Sequence, residues 1–213
     1  VLRLRVGDVV ELFDGRGRTS AASIESITER TTCVAQPPTT AEAPSTAIVL
    51  LLAIPKGATL DQCVRMATEL GVARIALFQA ERSVPRWDSK RAASRIDRLT
   101  RIAAEASSQS ERADIPRIEG PKSLASWLDT IPAAASRVVF GARATEPLEL
   151  TGAAQQVWCA IGAEGGFSEA ELDTFARAGF AVVSLGPRVL RVDTAVAAGL
   201  SLVQNHLRPA QAR

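Results

Sequence analysis

Residues 157–171 read Val-Trp-Cys-Ala-Ile-Gly-Ala-Glu-Gly-Gly-Phe-Ser-Glu-Ala-Glu. Val157 to Ile161 is a short apolar run, the length of a strand buried on both faces. It passes directly into the glycine-rich loop 162–168. Ser168 and Glu171 have capping-box spacing, so a helix starts there and stops at Gly179. Strand, glycine loop and capped helix in immediate succession are the grammar of an open α/β sheet, whose ligands lie at the carboxyl ends of its strands. Glycines let a backbone approach a ligand closely and take positive φ. The loop is neither G-x-G-x-x-G nor followed by Gly-Lys-Ser/Thr, which argues against dinucleotide and triphosphate binding. Glu164 within it reads either as a functional carboxylate or as a cap for neighbouring N–H groups.

The alternation of strand and helix extends in both directions from this segment. Upstream, Ala47 to Ile54 is a continuous apolar strand, and Thr59 with Gln62 predicts a capping box opening a helix to Leu70. Arg74 to Phe78 predicts a strand, and Asp88 or Ser89 caps a helix to about Ser108. Ser123 to Asp129 reads as a short helix and Arg137 to Gly141 as a strand. Downstream, Phe180 to Leu185 predicts a strand, and Asp193 or Thr194 caps a last helix to about Leu207. The first 35 residues differ in kind. Short strands at 1–6, 9–13, 21–27 and 31–35, with Ile24 and Val34 facing inward and a turn at Asp14-Gly15-Arg16-Gly17, predict a small barrel. It opens inside a strand, so its first strand is expected upstream. Gln36-Pro-Pro-Thr-Thr-Ala-Glu-Ala-Pro44 reads as a linker, giving domains 1–45 and 46–213.

Composition narrows the function classes. Of 213 residues, 46% are apolar and 23% charged, so the chain is globular and long enough to bury a core without staples. No apolar run reaches the roughly 18–20 residues of a membrane span, and a cytoplasmic protein is expected. Cys33, Cys63 and Cys159 are far apart with no C-x-x-C, which excludes a zinc ribbon and reads as small apolar packing. His206 is the single histidine, excluding mechanisms that need a pair. No metal is expected. The cations are 22 Arg against 3 Lys. Arginine makes forked contacts to phosphate and stacks on bases, although GC-rich coding produces the same excess.

Three further segments carry candidate chemistry. Between Arg82 and Arg101 stand seven cations against Asp88 and Asp97. Arg91, Arg95 and Arg98 form one helical stripe opposite Ile96 and Leu99. With Arg82, Arg86 and Trp87 before it, the stripe reads as a phosphate-backbone contact or as a solvated face. Gln109 and Ser110, near Arg112, are placed to reach a base edge. Lys56 is a further cation at a strand's carboxyl end. In Leu185-Gly-Pro-Arg-Val-Leu-Arg-Val-Asp-Thr194, a Gly-Pro turn, Arg188 and Arg191 meet a helix N-terminus, either as an anion site or as a salt-bridged loop.

The order of these motifs resembles a known family. Leu50-Leu-Leu-Ala-Ile-Pro-Lys-Gly57, Ala67-Thr-Glu-Leu-Gly-Val-Ala-Arg-Ile75, Glu81-Arg-Ser-Val84, Glu105-Ala106 with Gln109-Ser110, Ile161-Gly-Ala-Glu-Gly-Gly-Phe-Ser168 and Leu185-Gly-Pro-Arg-Val-Leu-Arg191 occur in sequence. Over nearly the whole chain this is similar to the ribosomal RNA small-subunit methyltransferase E family, which makes 3-methyluridine in small-subunit (16S) ribosomal RNA. The resemblance implies an α/β fold, a SPOUT-type trefoil-knotted methyltransferase domain with a small N-terminal PUA-like β-barrel. It implies a homodimer and S-adenosylmethionine as methyl donor. By motif matching, Gly141, Ile161, Gly162, Glu164, Gly165, Gly166, Leu185, Gly186, Arg188, Val189, Leu190, Arg191 and Ala195 line the cofactor pocket. Three departures stand out: Ala163 where the family has Pro, Asp193 where it has Glu, and Ser108 where it has Glu.

Two roles follow from that placement. Uracil N3 must lose a proton before it accepts a methyl group, and a nearby cation stabilises the anion. Arg191 is assigned that role, with Glu164 fixing the loop or assisting proton removal. RNA phosphates are assigned to Arg3, Arg5, Lys56, Arg82, Arg86, Arg91, Arg95 and Arg98. The rival readings are a SPOUT enzyme acting at a different RNA position, such as a ribose hydroxyl, and a non-catalytic RNA-binding module of the same fold.

Overall fold

The computed structural model describes residues 4–42, 44–150 and 154–207, excluding the side chains of Ser89 and Lys90. The N-terminal sheet is antiparallel and contains β1 (Val9–Phe13), β2 (Arg18–Ile27), β3 (Thr31–Ala35) and β4 (Thr39–Thr40), with β1 and β3 on either side of β2. The predicted β1–β2 turn forms because Asp14 Oδ1 accepts the N–H groups of Arg16 and Arg18 at 2.8 and 3.1 Å. Those two bonds hold the Asp14 carboxyl below the usual carboxylate range. Three expectations fail here. Residues 4–6 of the alternating opening run form no strand, and residues 1–3 lie outside the described residues. Ile24 is buried, but Val34 is 52% exposed, because Ile24 pairs with Cys33 and Val34 lies on the opposite face of β3. The predicted linker contains β4, whose Thr39 and Thr40 pair with Thr19 and Arg18.

The larger unit is a six-stranded, all-parallel sheet in the order β10-β8-β9-β5-β6-β7. Its strands are β5 (Ala47–Ala53), β6 (Arg74–Phe78), β7 (Arg117–Lys122), β8 (Ser136–Phe140), β9 (Gln156–Ile161) and β10 (Ala181–Val183). The helices are α1 (Thr59–Glu69), α2 (Ser89–Gln109), α3 (Leu124–Leu128), α4 (Glu169–Arg177) and α5 (Val192–Leu207). Alternate residues of β5 feed two separate cores, which is why that strand reads as unbroken apolar sequence. Leu50 and Leu52 pack with Val64 of α1, Leu99 of α2 and Leu200 of α5. Val49 and Leu51 pack with Trp127 of α3 and Phe175 of α4. Cys63 and Cys159 are buried, and Cys33 is partly buried.

Local signals account for most helix ends. Asp88 caps α2, and Ser168 with Glu171 forms the complete capping box of α4. At α1 the predicted box is absent: Gly57 turns the chain at φ +56°, Ala58 takes the N-cap position, and Thr59 falls inside the first turn. Helix α5 begins earlier than predicted. The Arg191 carbonyl accepts the Ala195 N–H at 2.8 Å, so Asp193 and Thr194 lie within its first turn rather than at the N-cap, where Asp193 Oδ1 accepts the Thr194 N–H at 3.0 Å. Strand β7 has no counterpart among the predicted elements; as an edge strand it tolerates Pro121.

The β1–β2 turn docks on the loop between α2 and β7. Gly17 N–H donates to Ala113 O, and Ile115 N–H to Gly15 O, each at 3.0 Å. Arg112 buttresses that loop by donating to Thr68 O and Val72 O and pairing with Asp114 at 2.7 Å. Arg112 thus has a structural role, while Gln109, one of the two residues read as reaching a base edge, is exposed. Ser110 Oγ donates to the Ala106 carbonyl of its own helix, at 2.8 Å.

Candidate active site

Strands β8, β9 and β10 end level with one another, Phe140 standing beside Ile161 on one side and Val183 on the other. Three loops therefore leave the sheet at one carboxyl edge: 141–144, 162–168 and 184–191. They enclose a cavity of about 720 Å³, inside the usual range for small-molecule sites. Its apolar wall includes Phe140, Ile161, Leu172, Val182 and Leu190. Charged groups around it are Arg82, Arg143, Glu164, Glu169 and Arg188.

The glycine loop has almost no regular structure of its own and is held by its neighbours. Gly166 takes φ +63° to close the turn in which its N–H donates to Ala163 O at 2.8 Å. Glu164 Oε1 accepts the Lys56 N–H at 2.9 Å, tying the loop to the end of β5, across the point where the connections of the sheet reverse direction. Arg82 donates to the carbonyls of Gly165 and Phe167, each at 3.2 Å. The Phe167 ring stacks on Phe78 and meets Phe175 edge-on, with centroids at 6.3 and 5.0 Å.

Every residue expected in the pocket by motif matching lines this cavity except Arg191. The Arg191 side chain is 82% exposed, 3.7 Å from Asp193, between the lining residues Leu190 and Val192. Glu164 is engaged as a loop tether. Sequence reasoning missed Arg143, Glu169 and Arg82 as cavity residues. Arg143 was findable, because Gly141-Ala-Arg-Ala144 follows a strand at the same edge. So was Glu169, the residue directly after the glycine loop; Arg82 reaches the cavity only through tertiary folding.

The arginines assigned to RNA are presented differently from one another. Arg3 lies outside the described residues. Arg5 is exposed, and its N–H is held by Asp8 at 2.7 Å. Lys56 and Arg86 are exposed. The α2 stripe faces solvent, but each guanidinium has a protein partner: Arg91 pairs with Asp88 at 3.5 Å, Arg95 stacks over buried Trp87 at 4.8 Å, and Arg98 pairs with Asp61. Arg82 is turned onto the glycine loop. Cys63, beneath the site, is pushed up to about 12 by burial, then by the Asp193 and Glu164 carboxylates. It is a neutral thiol at physiological pH and no nucleophile. No helix among the described residues is long and apolar enough to cross a membrane.

Comparison with known proteins agrees with this architecture. The RNA methyltransferase domain family matches residues 41–204, and the RNA methyltransferase PUA domain family matches residues 1–36. Ribosomal RNA small subunit methyltransferase E of Mycobacterium tuberculosis is 31% identical over 219 residues, covering 95% of this chain and 80% of that protein. The same enzyme of Synechocystis is 27% identical over 209 residues, covering 95% and 68%. The crystal structure of the Neisseria gonorrhoeae enzyme bound to S-adenosyl methionine superposes with a TM-score of 0.86 at 28% identity, covering 95% of this chain and 85% of that one. The parallel sheet, the three-loop cavity at its carboxyl edge and these matches together establish that the chain belongs to the ribosomal RNA small subunit methyltransferase E family.

Proposed function

We propose that the chain transfers the methyl group of S-adenosylmethionine to ring nitrogen N3 of a uridine in small-subunit ribosomal RNA. The observation that carries this reading is the cavity formed by three strand-end loops, one of them glycine-rich. Its residues fit the donor. An apolar wall suits the adenine ring, Glu164 and Glu169 suit a cationic sulfonium and ammonium, and the glycine backbone offers N–H and C=O groups without side-chain bulk. When bound, S-adenosylmethionine supplies an electrophilic methyl group.

The protein's part is then positioning and charge stabilisation. Gly162 to Gly166 and Leu185 to Leu190 hold the donor from two sides. Arg191, exposed at the rim, meets the incoming base and stabilises the anion left when N3 loses its proton. Its outward position supports a role toward the substrate rather than the donor. Arg5, Arg86, Arg91 and Arg95 hold RNA phosphates, and the family's homodimer and knotted C-terminal segment come with the same reading, as does a division into domains 1–45 and 46–213.

The test is methyl transfer from labelled S-adenosylmethionine to small ribosomal subunits lacking the modification, with the nucleoside identified by mass spectrometry. Labelled 3-methyluridine is expected. A methylated ribose, or label at another ring position, refutes the N3 assignment. Absence of both label and donor binding favours the non-catalytic module. Arg191→Ala is expected to lower kcat at unchanged donor affinity, and full turnover in that variant refutes its role.

A further inference from the structure

The segment from Glu81 to Asp88 leaves the carboxyl end of β6 and braces the glycine loop, with Arg82 itself reaching the cavity wall. Arg82 Nη1 donates to Gly165 O and Phe167 O, both at 3.2 Å. One residue earlier, the Glu81 N–H donates to Glu171 Oε1 at 2.9 Å, while Glu171 Oε2 accepts the Ser168 N–H at 2.9 Å. One guanidinium and one carboxylate, from separate elements, thus pin successive parts of residues 165–168 to the same segment. Gln79 Nε2 fixes the far side of that segment through Pro85 O at 3.0 Å. Beyond it stand exposed Val84 and Arg86, and then Asp88, the cap of the arginine-bearing helix.

Contact between the two segments is close. A Cβ on Gly165 would stand 2.9 Å from Arg82 Cβ and 3.5 Å from Arg82 O. Residues 162–167 otherwise carry one backbone hydrogen bond of their own among those described, the Ala163–Gly166 turn. Glycine-rich backbone loses much entropy when it is ordered. A loop already held in its bound shape pays that cost in folding rather than in binding.

We propose that Arg82 is a positioning residue for the donor loop rather than a phosphate ligand, and that Glu171, which does not line the cavity, acts with it. The inference rests on the reading that the cavity binds S-adenosylmethionine. It also makes the 81–88 segment a rigid link between the RNA-facing arginines and the donor loop.

The test uses the full chain carrying Arg82→Ala, Arg82→Lys or Glu171→Ala, each checked for folding by circular dichroism. Hydrogen exchange of residues 162–168 is measured without donor, donor affinity by calorimetry, and RNA affinity against salt. In Arg82→Ala and Glu171→Ala, faster loop exchange and donor affinity weaker by about tenfold are expected. The salt slope of RNA binding is expected to stay unchanged, and Arg82→Lys to be intermediate, since an ammonium lacks the planar fork. Unchanged exchange and affinity in folded Arg82→Ala overturn the proposal. So does a salt slope reduced by about 0.7, the signature of one lost single-strand phosphate contact. A wild-type chain that binds no donor overturns the functional reading instead, while the exchange data still judge the clamp.

Discussion

Gly165→Ala is the sharpest probe of how the donor loop is held. Gly165 has no positive φ, so alanine adds no backbone strain there. It adds a methyl group 2.9 Å from Arg82 Cβ. Ordinary contact requires the loop and the 81–88 segment to part by about 0.5 Å, because the atoms it meets are the Arg82 Cβ and carbonyl oxygen rather than only a flexible tip. The two Arg82 hydrogen bonds are already 3.2 Å long, and that displacement takes them beyond the hydrogen-bond range. Hydrogen bonds to charged groups are worth ~1.5–3 kcal/mol each when buried. Arg82 is exposed, so solvent screening reduces the pair to about 1.5 kcal/mol in total. Donor affinity should therefore fall about tenfold, and the melting temperature by ~3–6 °C, because the same two bonds are made in the donor-free fold. Calorimetric titration with S-adenosylmethionine is the assay. A double-mutant cycle with Arg82→Gly, which removes the opposing Cβ, should make the two changes clearly less than additive. Wild-type affinity in folded Gly165→Ala, or full additivity in the cycle, refutes the argument.

Other perturbations test other parts of the molecule. Arg112→Met strands the carbonyl of Val72, leaves Thr68 O with the Gly71 N–H alone, and should cost ~1–3 kcal/mol, lowering the melting temperature by ~2–12 °C; a shift below 2 °C contradicts the buttress. Because the folded thiol of Cys63 is raised from 9.0 to about 12, the unfolded chain loses that proton first as pH rises. Stability is fully present below pH 9 and declines between pH 9 and 12, by ~1.4 kcal/mol at pH 10. Cys63→Ala should flatten that part of a denaturation–pH curve, and an identical slope would argue against the shift. A triple Arg86→Ala, Arg91→Ala, Arg95→Ala variant should reduce the salt slope of RNA binding by ~2. An unchanged slope removes the α2 stripe from the RNA surface.

Where the chain's local chemistry decides conformation, the reading along the sequence matches the structure. Ser168 and Glu171 satisfy each other's backbone N–H groups within four residues, so their helix start is visible without any partner. Asp14 closes its turn in the same way. Thr59 has the same spacing as Ser168 but fails as a cap, because the turn at Gly57 starts the helix one residue earlier. Val34 and Ile24 look alike in composition, and strand pairing alone determines which faces inward.

The candidate site divides along the same line. The continuous apolar runs and the glycine loop at a strand end determined the parallel sheet and the edge at which the cavity opens, because periodicity and glycine placement act locally; most of the residues named around that cavity came from the motif resemblance. The destination of each long side chain lay beyond that reach. Arg82 belongs by sequence to a basic segment and by structure to the donor loop; Arg95 caps a tryptophan; Arg112 bridges carbonyls some forty residues away. A flexible charged side chain spans several ångströms and pairs with whatever acceptor the fold brings near. Those acceptors are backbone groups of distant elements, and only the assembled sheet and its loops put them in place.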